Sequence, residues 1–177
     1  MSNLQTNQPP SEALDLPQTG SDFTTAPNYH PESKLWFYGN VRLLRGSLAT
    51  IRYQRCMSDV EKEAEDLVLS GHILVIGVHN NVQRRAAIVP LRWGSPRIVV
   101  FSGGIRHHLG PDLKQEPFRT ARLWRYQWDA KVDLAVSLRA PNKLPTFAVE
   151  NRTVDRLIQE LARNERIGLY PSPSAHS

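Results

Sequence analysis

Between Leu35 and Phe101 the chain alternates short apolar runs with amphipathic stretches in the order strand, helix, strand, helix, strand, and the third run opens directly into Ser102-Gly103-Gly104. No other feature constrains the fold as strongly. Strands separated by helix-length crossovers pair in parallel, and their carboxyl ends then share one edge of a sheet covered by helices on both faces. Ligands of such sheets bind at that edge, where a glycine turn lets main chain approach a phosphate. The expected class is α/β, a three-layer sandwich around a mostly parallel sheet.

The individual elements follow from local pattern. Leu35-Trp36-Phe37-Tyr38 reads as a buried first strand ended by Gly39, followed by a basic, partly helical connection. Ser58 stands three residues before Glu61 in capping-box spacing, and Val60, Ala64, Leu67 and Val68 form one helical face that Gly71 terminates. Ile73-Leu74-Val75-Ile76 is an unbroken apolar run, as expected of a central strand covered on both faces. Asn80-Asn81 offers a cap for a helix carrying Arg84 and Arg85 and ending between Pro90 and Gly94. Arg97 to Phe101 and Val132 to Val136 are further strands, and a helix is predicted from about Asn151 to Arg163 with Val154, Leu157, Ile158 and Leu161 as its apolar stripe. In Phe118 to Trp128, aromatics and arginines interleave; the spacing of Phe118, Ala121, Trp124 and Trp128 favours a packed helix over a base-stacking surface.

Composition bounds the rest. A chain of 177 residues suits one domain with its own core. The single cysteine, Cys56, excludes an intrachain disulfide and a thiolate metal cage, and fits a reducing compartment. With no apolar run near the roughly 20 residues of a membrane span, and no signal pattern at the start, the expected location is the cytoplasm. Residues 1–34 hold Pro9, Pro10, Pro17, Pro27 and Pro31 among polar residues and are expected to be a disordered tail; residues 35–170 form the domain and 171–177 fray. The tail carries four acidic residues and one basic one, so a whole-chain charge of +5 becomes +8 for the remainder. Such an excess suits a polyanionic partner.

The best site from chemistry alone is Ser102, Gly103, Gly104 and Arg106 with the adjacent His107 and His108, a turn offering main-chain and cationic donors to a phosphate. A second is Gly77 with Asn80, Asn81, Arg84 and Arg85 at a capped helix start, and a third is the basic, proline-rich loop holding Arg139 and Lys143. Adjacent histidines without a spaced third ligand do not make a metal site, and neither a metal nor another cofactor is expected. Asp129, Asp133 and Asp155 are isolated in the sequence and Ser102 has no third partner, so no catalysis is expected.

The order of parts resembles the Rossmann-like domain of the bacterial DNA-processing protein A (DprA/Smf) family, within the wider group that includes LOG-type phosphoribohydrolases. The likeness spans residues 35 to 163. Gly39 corresponds to the glycine ending that family's first strand, and Gly77 to the glycine of its second turn. Ser102-Gly103-Gly104-Ile105, followed by Leu109-Gly110-Pro111, resembles the third exit, and Phe147 to Arg152 resembles a Phe-x-x-Arg-Asn-Arg segment at Phe147, Asn151 and Arg152. Asn80, Asn81, Gln83 and Glu150 depart from the pattern. The resemblance implies single-stranded DNA held along the strand-exit edge by the residues above together with Asn151 and Arg152, loading of a RecA-type recombinase, and a homodimer. Two alternatives are a nucleotide-sensing domain for a small phosphorylated ligand and a LOG-type nucleoside monophosphate hydrolase. The hydrolase needs a Pro-Gly-Gly-x-Gly-Thr loop, of which Ser102 to Arg106 lacks the proline, the third glycine and the threonine.

Overall fold

A computed structural model describes residues 22–52, 56–123, 127–145 and 151–164. Six strands form one sheet: β1 (Phe23–His30), β2 (Leu35–Asn40), β3 (Leu48–Ala49), β4 (Ile73–Gly77), β5 (Arg97–Phe101) and β6 (Leu134–Ser137). Their order is β1-β2-β6-β5-β4-β3. The four strands from β3 to β6 are parallel, whereas β2 runs antiparallel to β6 and β1 antiparallel to β2.

Side-chain alternation along the strands divides the core in two. Tyr38, Leu74, Ile76, Val99, Phe101 and Ala135 face a cluster covered by α1 (Met57–Leu69), α2 (Asn81–Ala87), α3 (Val89–Arg92), α4 (Ile105–Leu109) and α5 (Arg119–Leu123). Leu35, Phe37, Val75, Ile98, Val100, Leu134 and Val136 face the other side, covered by a 3-10 turn at Val41–Arg45 and by α6 (Arg152–Ala162). The three crossovers linking β3 to β6 lie on one face and step one strand at a time; α6 returns across the opposite face, completing the Rossmann-like three-layer sandwich.

Several expectations change. Leu35–Asn40 does not lie beside β4 as the first parallel strand; it pairs antiparallel with β6, and the parallel set starts at the two-residue β3. Ile73–Gly77 is buried on both faces yet stands second from the sheet's edge. Residues 23–30, inside the segment read as a tail, form β1. The ladder from β1 to β2 shifts register between Thr24 and Asn28, and Pro27 sits within that irregularity, a place an edge strand tolerates because proline has no N–H to donate. Helix α1 starts at Met57 behind Cys56, and Ser58 Oγ bonds Cys56 Sγ at 2.9 Å, so no capping box forms. Among the described residues of the aromatic and basic segment Arg119–Leu123 is helical and Gln127 and Trp128 are not, although Phe118 and Trp128 do pack in the core; Trp124, Arg125 and Tyr126 lie outside the described residues, as do residues 146–150 and 165–177.

A buried ion network anchors the excursion between α4 and β6. Arg97 is fully buried, and its guanidinium donates to Asp133 Oδ2 at 3.0 Å, Glu116 Oε2 at 2.6 Å and the Ala87 carbonyl at 3.1 Å. Phe118 and Trp128 place their rings 5.4 and 5.6 Å from the same guanidinium. Burial pushes the Asp133 carboxyl upward against the opposing pull of Arg97.

Candidate nucleic-acid interface

The exits of β4, β5 and β6 share one edge, as parallel pairing requires, and the start of α6 joins them there through a contact between His79 and Asp155. Three of the sequence-derived groups thus do meet: the turn after Gly77, the Ser102-Gly103-Gly104 exit, and the Arg139 to Lys143 loop.

The two glycines of the β5 exit serve this meeting directly. A Cβ on Gly104 would overlap the carbonyl oxygens of Ala140 and Pro141, and one on Gly103 would lie 2.8 Å from the nitrogen of Pro145. The β6 loop therefore occupies the space that a ligand phosphate was expected to take. Its carbonyls also take the donors: Gly104 N donates to Lys143 O at 2.7 Å, and Arg106 N and His107 N donate to Pro141 O at 2.9 and 3.3 Å. Gly103 N donates to Nε2 of His108 at 3.2 Å, while Ser137 Oγ ties the loops together by donating to Gly103 O at 2.8 Å and accepting from Arg139 N. Ser102 is buried. The glycine turn is a clasp between two loops, and its amides are spent inside the protein.

Clasping the loops brings their cations side by side. Arg106 caps the Pro111 carbonyl with Nη1 at 3.0 Å, and Arg139 donates from Nη1 to the Leu144 carbonyl at 3.2 Å, which extends both guanidinium groups along the surface. Lys143 is exposed at the tip of the same loop. Arg106, His107, Pro111 and Asn142 line an open cavity of about 360 Å³. Charge, an imidazole and an amide thus border one concave surface at the interlocked β5 and β6 exits.

The turn after β4 is built differently. Asn80 caps α2 as expected, its Oδ1 accepting from Gln83 N at 2.8 Å, and Gln83 reaches back so that Oε1 accepts from Gly77 N at 3.0 Å. Gln83, one of the departures from the family pattern, thus has a structural task. A Cβ on Gly77 would come within 2.6 Å of Nδ1 of His79, whose nearly buried side chain lies against the Asp155 carboxylate at 2.7 Å. Asn151 caps α6 through Val154 N at 3.2 Å, and Arg152 and Asn81 are exposed at the starts of α6 and α2. Arg84 bonds the Val78 carbonyl through Nε at 2.8 Å and remains on the edge, whereas Arg85 is drawn to Glu61 of α1 and stands apart from the exit loops.

The two adjacent histidines are also unlike each other. His107 is exposed beside the cavity, while His108 stacks on Phe101 with centroids 4.6 Å apart. Burial, helped by His107 and Arg84, lowers the pKa of His108 to about 4, so its ring is neutral near pH 7 and accepts from Gly103. Among the described residues no cluster of three or more His, Cys, Asp or Glu forms a metal-binding group, and no helix is long and apolar enough to cross a membrane. His79 with Asp155, and Asn142, escaped the sequence reading; the 76-residue separation of the first pair leaves no local signal, and an exposed loop asparagine carries none.

No protein-family model and no curated protein sequence matches the chain. Among solved structures it is similar in fold to DNA processing protein A from Helicobacter pylori, with a TM-score of 0.51 and 17% sequence identity over 72% of this chain and 56% of that one. The chain spans a little over half the length of that protein, which binds single-stranded DNA. In architecture, this α/β sandwich resembles the Rossmann-like part of DNA processing protein A.

Proposed function

We propose that this protein binds single-stranded DNA along the strand-exit edge, without catalysing a reaction on it. The observation that carries the reading is the placement of Arg106, Arg139 and Lys143 on two loops clasped at Gly103-Gly104, on a fold shared with a single-strand-binding protein. Cations along a solvent-facing edge hold a phosphate backbone irrespective of base sequence. The net charge of +8 outside the first 34 residues adds long-range attraction for the strand. In this reading the bound strand is delivered to a RecA-type recombinase by a cytoplasmic homodimer. Among the described residues the cavity is lined by Arg106, His107, Pro111 and Asn142, whose guanidinium, imidazole and amide offer donors to a phosphate.

Fluorescence anisotropy with labelled oligothymidylate and with duplex DNA across a salt series tests the proposal. Preferential single-strand binding that weakens by about 0.7 in the logarithmic slope per phosphate contact supports it. No binding at low salt refutes it. A second reading, a sensor for a small phosphorylated nucleotide, draws on the cavity of about 360 Å³, which falls at the small end of ligand-site volumes. Mononucleotide binding without DNA affinity would favour that reading. Sedimentation of the free protein, and recombinase filament assembly on coated DNA, test the dimer and the loading role.

A further inference from the structure

The edge that carries the cations continues into the β1–β2 hairpin. Because β2 is antiparallel to β6, the start of β2 and the end of β1 lie at the same edge as the β6 exit. The register fixes a single row across the sheet: Tyr29 pairs with Trp36, Trp36 with Ser137, and Ser137 with Phe101. Cross-strand partners project from the same face, so Tyr29, Trp36 and Phe101 belong to one aromatic row, interrupted only by the hydroxyl that clasps Gly103. Phe101 is buried under His108, whereas the row becomes progressively more open toward Tyr29. Tyr29 is 43% exposed and Trp36 only partly buried, with ring centroids 5.2 Å apart and planes tilted by 46°.

An exposed tyrosine beside a partly buried tryptophan on an edge hairpin suits either an apolar protein surface or a nucleic acid. Aliphatic partners would favour a flatter, wholly apolar patch, whereas this one is bordered by charge. Lys34 is exposed in the hairpin turn, and Arg139 leaves β6 two residues beyond the Trp36–Ser137 pair. A π surface flanked by cations matches a polymer with alternating flat bases and phosphates. Resting on the single-strand reading above, we infer that Tyr29 and Trp36 form a base-stacking platform for single-stranded nucleic acid, with its phosphates on Lys34 and Arg139. The platform extends the binding track from the α4 cavity to the hairpin and makes β1 part of the interface. Duplex DNA, whose bases are stacked internally, gains nothing from it, so the platform supplies discrimination between single and double strands.

The test uses the full chain and oligothymidylate carrying 5-iododeoxyuridine, which cross-links to stacked aromatic side chains under light. Peptide mapping is expected to place the cross-link on Tyr29 or Trp36. In anisotropy, Tyr29→Ala is expected to weaken single-strand binding roughly ten- to a hundredfold. Tyr29→Phe keeps the ring and should keep the affinity. Tyr29→Ala should leave the salt slope unchanged, since no phosphate contact is lost, whereas Arg139→Ala should reduce the slope. Because Tyr29 is half exposed, its truncation leaves the core intact, and an unaltered urea midpoint checks this. If the wild type binds no single strand, the functional reading itself fails. If it binds, but cross-links map elsewhere and Tyr29→Ala binds normally, the platform alone is overturned. A change in sedimentation with unchanged DNA affinity would also overturn it, by assigning the patch to a contact between two copies of this chain.

Discussion

Replacing Arg97 with methionine isolates the buried ion network, because methionine fills most of the volume while removing the charge. In the wild type the guanidinium satisfies Glu116 and Asp133, which are 1% and 4% exposed, and bonds the Ala87 carbonyl. Each carboxylate would keep one main-chain donor, Phe118 N for Glu116 and Arg97 N for Asp133, so neither is stripped bare. Two buried negative charges without their cation still cost about 3–5 kcal/mol, the usual penalty for breaking a buried pair from one side. Against a domain stability of roughly 5–15 kcal/mol that is a large share. For a domain of this length it lowers the melting temperature by about 6–20 °C. Urea denaturation followed by circular dichroism measures it. Acid should partly rescue the variant through Asp133, whose burial already pushes its carboxyl upward: its protonation then favours the native state, so the variant's stability falls as pH rises above the ordinary carboxylate range. Combining Arg97→Met with Glu116→Gln and Asp133→Asn should recover most of the loss, since no buried charge remains. A single variant within about 1 kcal/mol of wild type, or a triple variant no better than the single, would refute the reasoning.

Other consequences are equally direct. Gly104→Ala forces its methyl into the Ala140 and Pro141 carbonyls and breaks the clasp, with an expected loss of about 2–4 kcal/mol in thermal or urea unfolding and weakened DNA binding. Arg106→Ala and Lys143→Ala should each reduce single-strand affinity about three- to tenfold and lower the logarithmic salt slope, whereas Arg85→Ala, being paired with Glu61, should change neither in the same titration. The depressed pKa of His108, about 4, means that the unfolded chain takes up a proton that the native ring refuses; stability contributed by the neutral ring is present above pH 6.5 and lost as pH falls toward 4, by up to about 3 kcal/mol. Urea midpoints between pH 4.5 and 7.5 should show that slope, and His108→Gln, which keeps an acceptor for Gly103 N, should flatten it.

Much of the parallel core was legible because its signals are local. The runs at Ile73 and Arg97, the Asn80 cap and the stripe of α6 each depend on residues a few positions apart, and each appears where expected. The hairpin was not legible in the same way. Among the described strands β1 pairs with β2 alone and is half solvated, so Thr24, Pro27 and Asn28 meet no apolar demand that a pattern would reveal. Phe118 and Trp128 do share the core, but by Gln127 and Trp128 the chain is no longer helical, and both rings pack beside the Arg97 guanidinium.

At the candidate site, residue types and placement diverge in origin. The cations at Arg106, Arg139 and Lys143 could be named from their positions after strands, since strand exits of a parallel sheet must share an edge. That the glycines between them receive a loop instead of a phosphate could not, because Gly103 and Pro145 are 42 residues apart and their approach depends on how β5 and β6 pair.

From the sequence alone came the class of fold, the parallel strands with their helical cover, and a basic edge suited to a polyanion, all consequences of short-range periodicity and charge. The antiparallel entry of β2, the aromatic row it aligns with Ser137, the Gly103-Gly104 clasp and the Arg97 network were decided by tertiary structure. Strand direction, register and buried hydrogen-bond partners are set by which distant segments satisfy one another, and no local pattern encodes that choice.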